Sequence, residues 1–172
     1  FSKIEQAGHE FVRTACKLML SRGRNSASLM QAEHLSAIKL VKGRGGLDKL
    51  IAQLEPRNRL VIGYSGLNIS MEQEIAPLVK NDLLLFADGL LLNRLINTNE
   101  FRVTTASNTD LFLAWITEGL AEGLGLKEAA EAALLKVRGS INALLLAPKL
   151  GKLLALSNHG SLFVYEDAEQ LL

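Results

Sequence analysis

The run Leu83-Leu84-Leu85-Phe86, followed by Ala87-Asp88-Gly89 and then Leu90-Leu91-Leu92-Asn93, constrains this chain more than any other stretch. Four consecutive apolar residues suit a buried strand and are too few for a helix of their own. Asp-Gly is a stop signal, because glycine accepts backbone angles that cost other residues energy. The strand is therefore expected to end at Asp88-Gly89. Leu90, Leu91 and Leu95 then open a helix, or the three consecutive leucines form a returning strand. A tight glycine turn at a strand end exposes backbone N–H groups of the kind an oxyanion or anion site uses. A plain structural turn satisfies the same residues, so function depends on what else converges there.

The flanking segments supply layers on both sides. Ile4, Ala7, Phe11, Ala15 and Leu18 make one apolar face of a helix over 4–20, stopped at Gly23. Two short strands follow, Ser26 to Met30 and His34 to Val41. Gly43-Arg44-Gly45-Gly46 is a flexible link and lacks the Gly-Lys-Ser/Thr ending of a phosphate-binding loop. Leu47, Leu50, Ile51 and Leu54 make a short helix ended before Pro56. Leu60 to Tyr64 is a strand, and 66–80 shows no period, with Glu72 and Glu74 in a solvated loop. Phe101 to Thr105 is a short strand, and Ser107-Asn108-Thr109-Asp110 has capping-box spacing. Phe112, Ile116 and Leu120 then share a helix face with Leu111 and Trp115, which makes Trp115 a core residue. Gly123-Leu124-Gly125 breaks that helix, and Lys127 to Val137 forms the next. Ile141 to Ala147, Lys152 to Ser157 and Leu162 to Tyr165 read as three strands separated by turn residues. A strand meander after a helix pair predicts helices layered on antiparallel sheet.

A chain of 172 residues with 48% apolar and 22% charged residues is ordinary for one globular domain over 1–172, with at most a small appendage. The net charge of +1 gives no overall electrostatic case for nucleic acid. Residues 1–54 carry nine Lys/Arg against four Asp/Glu, a bias that surfaces often show without any anionic partner. The single cysteine, Cys16, cannot form an internal disulfide and fits a reducing, cytoplasmic setting. No apolar run reaches the roughly eighteen residues of a membrane span, and no secretory signal is visible. The sequence begins with Phe rather than Met, as a processed or trimmed start or a missing upstream piece would leave it. His9, His34 and His159 lack metal-ligand spacing, so neither metal nor cofactor is expected. Asp82 and Asp88 flank one strand and read as turn and surface residues rather than a catalytic pair. Tyr64, beside Gly63 and Gly66, reads as packing, with lining a pocket as the alternative.

In order and spacing, six segments resemble the class II glutamine amidotransferase domain, an N-terminal-nucleophile fold. Leu20 to Ala27 resembles the family's Arg-Gly-x-Asp-Ser/Ala-Ala-Gly segment, and Ile62 to Gly66 its Gly-His-x-Arg strand end. Phe86 to Asn93 resembles the His-Asn-Gly-x-Ile-x-Asn turn, and Ser107 to Asp110 the Ser/Thr-Asp-Thr/Ser-Glu helix start. Val137 to Leu144 and Asn158 to Val164 are similar to two later strands. The resemblance implies an α/β (α+β) fold, a four-layer αββα sandwich with mainly antiparallel sheets.

The residues that the family's chemistry uses are altered. The resemblance implies an N-terminal cysteine whose thiol attacks the glutamine amide while its own α-amine acts as base. Here that position is Phe1 at best, which has no nucleophile. Cys16 lies mid-helix, and Ser2 is followed by Lys3-Ile4-Glu5-Gln6 instead of a small, strand-forming segment. The family's arginine for the substrate carboxylate falls on Gly66, and its aspartate for the ammonium falls on Asn108. Its oxyanion asparagine falls on Asp88, whose carboxylate accepts hydrogen bonds and repels a developing oxyanion. Arg22 and Gly89, the second oxyanion donor, are kept. The expected function is thus a catalytically inactive amidotransferase-like domain, a structural, regulatory or binding subunit. A protein partner or self-association and a small-molecule ligand accompany that expectation. Two alternatives stand beside it. One is an active amidotransferase whose nucleophile segment lies upstream, and the other is a small-molecule sensor that uses the degenerate pocket.

Overall fold

The computed structural model describes residues 3–19, 25–55, 58–66, 75–93, 108–160 and 162. Their contacts divide the chain into two compact units, Phe1–Pro77 with Pro148–Gly151 and Leu78–Ala147 with Lys152–Leu172.

The first unit contains helix α1 (Lys3–Met19), strands β1 (Ser26–Ala32) and β2 (Ile38–Gly43), the single-turn helix α2 (Asp48–Ile51) and strand β3 (Leu60–Gly66). The three strands form one antiparallel sheet in the order β2-β1-β3. Every residue of β1 is buried, which suits its mostly small side chains, Ser-Ala-Ser-Leu-Met-Gln-Ala. Ala27 and Leu29 face Leu47, Leu50, Ile51 and Leu54, and Val12 and Met19 of α1 pack against the same cluster. Burying a side chain the size of leucine contributes about 1.5–3 kcal/mol. The apolar face of α1 differs from the expected one at Phe11 and Leu18, while the side chains of Ile4 and Ala7 lie outside the described residues. Phe11 is 44% and Leu18 72% exposed, while Val12 and Met19, one position further along, face the core. The strand expected from His34 begins at Ile38, because 33–37 forms the loop that turns the chain back to pair Ala32 with Ile38.

Gln31 is the one polar residue of β1 with a large side chain, and only 1% of it is exposed. Its Nε2 donates to the Gln53 carbonyl at 2.8 Å. Its Oε1 accepts from the Glu55 backbone N–H at 2.8 Å and from Asn58 Nδ2 at 2.7 Å. These bonds tie the chain leaving α2 to the central strand. Ser28 is different. It is fully buried, and among the described residues its hydroxyl has no hydrogen-bond partner. An unpartnered buried hydroxyl costs about 1–3 kcal/mol. Ser28→Ala is accordingly expected to raise unfolding free energy by about 1 kcal/mol in urea titration; a loss of stability would mean that the hydroxyl is satisfied.

The second unit contains β4 (Leu78–Lys80), β5 (Leu83–Leu91), α3 (Asn108–Ala121), α4 (Leu126–Lys136), β6 (Gly139–Ala147) and β7 (Lys152–Ser157). Its strands form a second antiparallel sheet in the order β4-β5-β6-β7. Leu83, Leu85, Leu91, Ile141, Ala143, Leu145 and Leu156 face Phe112, Leu113 and Ile116 of α3 and Leu126, Ala129, Ala130 and Ala133 of α4. Trp115 and Leu120 pack at the edge of that cluster. Leu84, Phe86 and Leu146, on the other face by strand alternation, are buried as well. Burial on both faces explains why the strand reads as an unbroken apolar run. Small residues let the two helices approach: a Cβ on Gly119 would lie 3.1 Å from that of Ala129.

Three expectations change in this unit. Strand β5 does not stop at Asp88-Gly89 but runs on to Leu91, so Leu90 and Leu91 belong to the strand itself; Asn93 is helical, and Leu95 lies outside the described residues. The turn lies at the other end, at Asn81-Asp82, where both residues have positive φ (50° and 60°). A two-residue turn of this kind matches the twist of a β-hairpin, and Asn and Asp tolerate it. It joins β5 to β4, a three-residue strand within the stretch that showed no period. The strands expected at Phe101 to Thr105 and Leu162 to Tyr165, and the loop carrying Glu72 and Glu74, lie outside the described residues apart from Leu162 itself, which is in neither helix nor strand.

Candidate functional site

The Asp88-Gly89 pair sits within the β5–β6 ladder. Asp88 pairs with Asn142, Gly89 with Ile141 and Leu91 with Gly139. Gly89 has φ 151°, and a Cβ there would meet the Ser140 carbonyl oxygen and come within 2.8 Å of the Ile141 Cα. Gly139 has φ 121°, and a Cβ there would meet the Leu90 carbonyl oxygen. Close backbone approach, rather than chain reversal, thus demands glycine at both positions.

Two asparagines fix that approach. Asn93 Nδ2 donates to the Lys136 carbonyl and its Oδ1 accepts from the Arg138 N–H, both at 2.7 Å. On the opposite strand, Asn158 Nδ2 donates to the Gly139 carbonyl at 3.0 Å, and its Oδ1 accepts from the Ile141 N–H at 2.9 Å. The Asn158 N–H also donates to the Ile141 carbonyl at 3.3 Å. Ile141 therefore turns both its backbone groups toward β7, away from β5. Gly89, opposite Ile141, must aim its own N–H away from β6, toward the edge where, among the described residues, β4 pairs as far as Leu85. A backbone donor that β6 leaves unused is what an oxyanion site requires. Beside it, the Asp88 side chain is exposed.

Gly66 is the last residue of β3 in the first unit. It pairs with Ser26, whose Oγ donates to the Gly66 carbonyl at 3.0 Å. Tyr64, two residues earlier on the same face, folds its ring over it. A Cβ on Gly66 would lie 2.5 Å from Tyr64 Oη and 2.8 Å from Cε1 and Cζ. Asn108 is the first residue of α3. Phe1, Arg22 and the capping residue Ser107 lie outside the described residues. Asp88, Gly89 and Asn108 thus belong to the second unit and Gly66 to the first.

Sequence reasoning assigned Asp88 and Gly89 to a turn and missed the bracket formed by Asn93 and Asn158. The signal for that bracket was present: each asparagine stands just past a strand end, at Leu91 and Ser157, where side-chain amides commonly substitute for a lost ladder partner. Among the described residues no group of three His, Cys, Asp or Glu is placed to hold a metal ion, and no helix is long and apolar enough to cross a membrane.

Neither a protein-family model nor a curated protein matches the sequence. Solved structures do. The glutamine phosphoribosylpyrophosphate amidotransferase of B. subtilis, complexed with ADP and GMP, superimposes with a TM-score of 0.64 at 17% identity, over 87% of this chain and 34% of that one. A second structure, described as the allosteric regulatory enzyme of purine biosynthesis, gives 0.63 at 18% identity over 93% of this chain and 36% of that one. The chain spans about a third of the length of these enzymes. At such identities the likeness establishes the fold. The mixed α/β architecture with antiparallel sheets is the fold of these amidotransferases, the N-terminal-nucleophile type that the sequence resemblance implied.

Proposed function

We propose that residues 1–172 form one amidotransferase-like domain that has lost glutamine hydrolysis and serves as a structural, regulatory or binding subunit. The observation that carries this reading is the Asp88-Gly89 pair. The backbone donor is aimed away from β6 as an oxyanion site needs, but the side chain beside it is an exposed carboxylate. Removing a single oxyanion donor lowers kcat by about 10²–10³, and a carboxylate in its place adds repulsion. Asn108 in place of an aspartate and Gly66 in place of an arginine remove the charges that would hold the substrate's ends. The domain acts in the cytoplasm through a protein partner or a second copy of itself, with no membrane or nucleic-acid role.

One observation favours the rival reading of an active enzyme. Residues 3–19 are helical, and the first strand among the described residues is β1, from Ser26. A nucleophile-bearing strand would then precede this helix. A single assay separates the two readings. Protein with its natural, mass-verified N-terminus is incubated with L-glutamine, and ammonia is measured. No ammonia above a heat-inactivated control is expected. Release that a cysteine-directed glutamine analogue abolishes would establish the active enzyme instead. The sensor reading is tested by calorimetry against amino acids and sugar phosphates, where heat with any of them would favour it.

A further inference from the structure

We infer that Tyr64 is a blocking residue: its ring fills the space above Gly66 that an amino-acid carboxylate and its cationic partner would need. This rests on the reading of Gly66 as the former carboxylate-binding position. The backbone of Gly66 is not in the left-handed region, so any residue can adopt its conformation. The nearest atoms to a would-be Cβ there are all of the phenol ring, Oη at 2.5 Å and Cε1 and Cζ at 2.8 Å. The strand cannot retreat to make room. Gly66 is buried, paired with Ser26 in the ladder, and held through its carbonyl by Ser26 Oγ at 3.0 Å. Tyr64 is half-buried, and its neighbour across the ladder is Ser28, buried and packed in the central strand. The side chain that moves is therefore Tyr64.

Two substitutions thus separate this chain from carboxylate binding at β3. Restoring a cation at position 66 cannot succeed while the ring stays in place. Tyr64 also determines specificity: the natural chain excludes α-amino acids at this position, whatever else it binds.

A double-mutant cycle on the full chain tests the inference. G66A is expected to lower the melting temperature by about 4 °C or more in the natural background, and by less than about a third of that in Y64A. An equal loss in both backgrounds would overturn the blocking role. In calorimetry with L-glutamine, the Y64A/G66R protein is expected to bind at least ~10-fold tighter than the natural chain, Y64A or G66R, because a guanidinium then meets the carboxylate in a bidentate pair. Steric relief in the melting experiment without any gain in L-glutamine binding would leave the ring contact standing. It would overturn both the assignment of this space to an amino-acid carboxylate and the pocket reading on which it rests.

Discussion

Gly139→Ala is expected to destabilise the protein by about 4 kcal/mol, among the largest effects of any single methyl group in the chain. Two costs combine. At φ 121° an L side chain is strained by about 1–3 kcal/mol, and the new Cβ also runs into the Leu90 carbonyl oxygen of the adjacent strand. Relief would require parting β5 from β6, whose pairing runs from Leu84 and Leu146 to Leu91 and Gly139. Gly89→Ala, which meets the Ser140 carbonyl in the same way, is expected to cost a similar amount. Gly151→Ala is the control. Its φ is also positive, at 61°, but a Cβ there meets nothing within 4 Å, so the loss should stay near 1 kcal/mol. Urea titration of the three variants separates the terms: equal losses at 139 and 151 would show that backbone strain alone accounts for the effect.

Gln31→Leu should cost about 3 kcal/mol although it places an apolar side chain of similar size in a buried strand. The substitution removes one donor and one doubly used acceptor. It strands the Gln53 carbonyl and the Glu55 N–H, with Asn58 losing one of its two partners. Hydrophobic burial gained by leucine is worth about 1.5–3 kcal/mol in an empty site, but here it comes with unpaired backbone groups that each cost about 1–3. The polar loss wins. A lower urea midpoint with an unchanged m-value is the expected signature. An unchanged midpoint would mean that water replaces all three bonds.

Most of the fold's layering was legible in the sequence because it rests on periodicity and composition. The run from Leu83, the face of Phe112 and Ile116, the alanine-rich Lys127 to Val137 and the strands after Gly139 all express local rules. What escaped the sequence depends on residues far along the chain. Asp88-Gly89 has the local chemistry of a turn, and only the carbonyl of Ser140, fifty-one positions later, makes glycine a requirement of close packing instead. The buried stripe of α1 was placed one position away, since Phe11/Leu18 and Val12/Met19 have the same spacing and only the neighbouring cluster chooses between them. Three-residue β4 is too short to show a period. In the candidate site, that Gly66 and Asn108 carry no charge and Asp88 carries a carboxylate could be read directly. That the Tyr64 ring lies over Gly66 could not, because sequence alone does not fix a side-chain rotamer.

The β5–β6 ladder also sets an order of events. Leu91 and Gly139 meet across 48 positions and Leu84 and Leu146 across 62, so the central pairing of the second sheet closes a long loop before any of its contacts can form. Helices α3 and α4 lie inside that loop and contact one another through Gly119 and Ala129, only ten residues apart. A helical hairpin of such short range forms quickly and shortens the effective length of chain that must be closed. A bulkier residue at position 119, crowding Ala129, is therefore expected to slow refolding as well as weaken the native state.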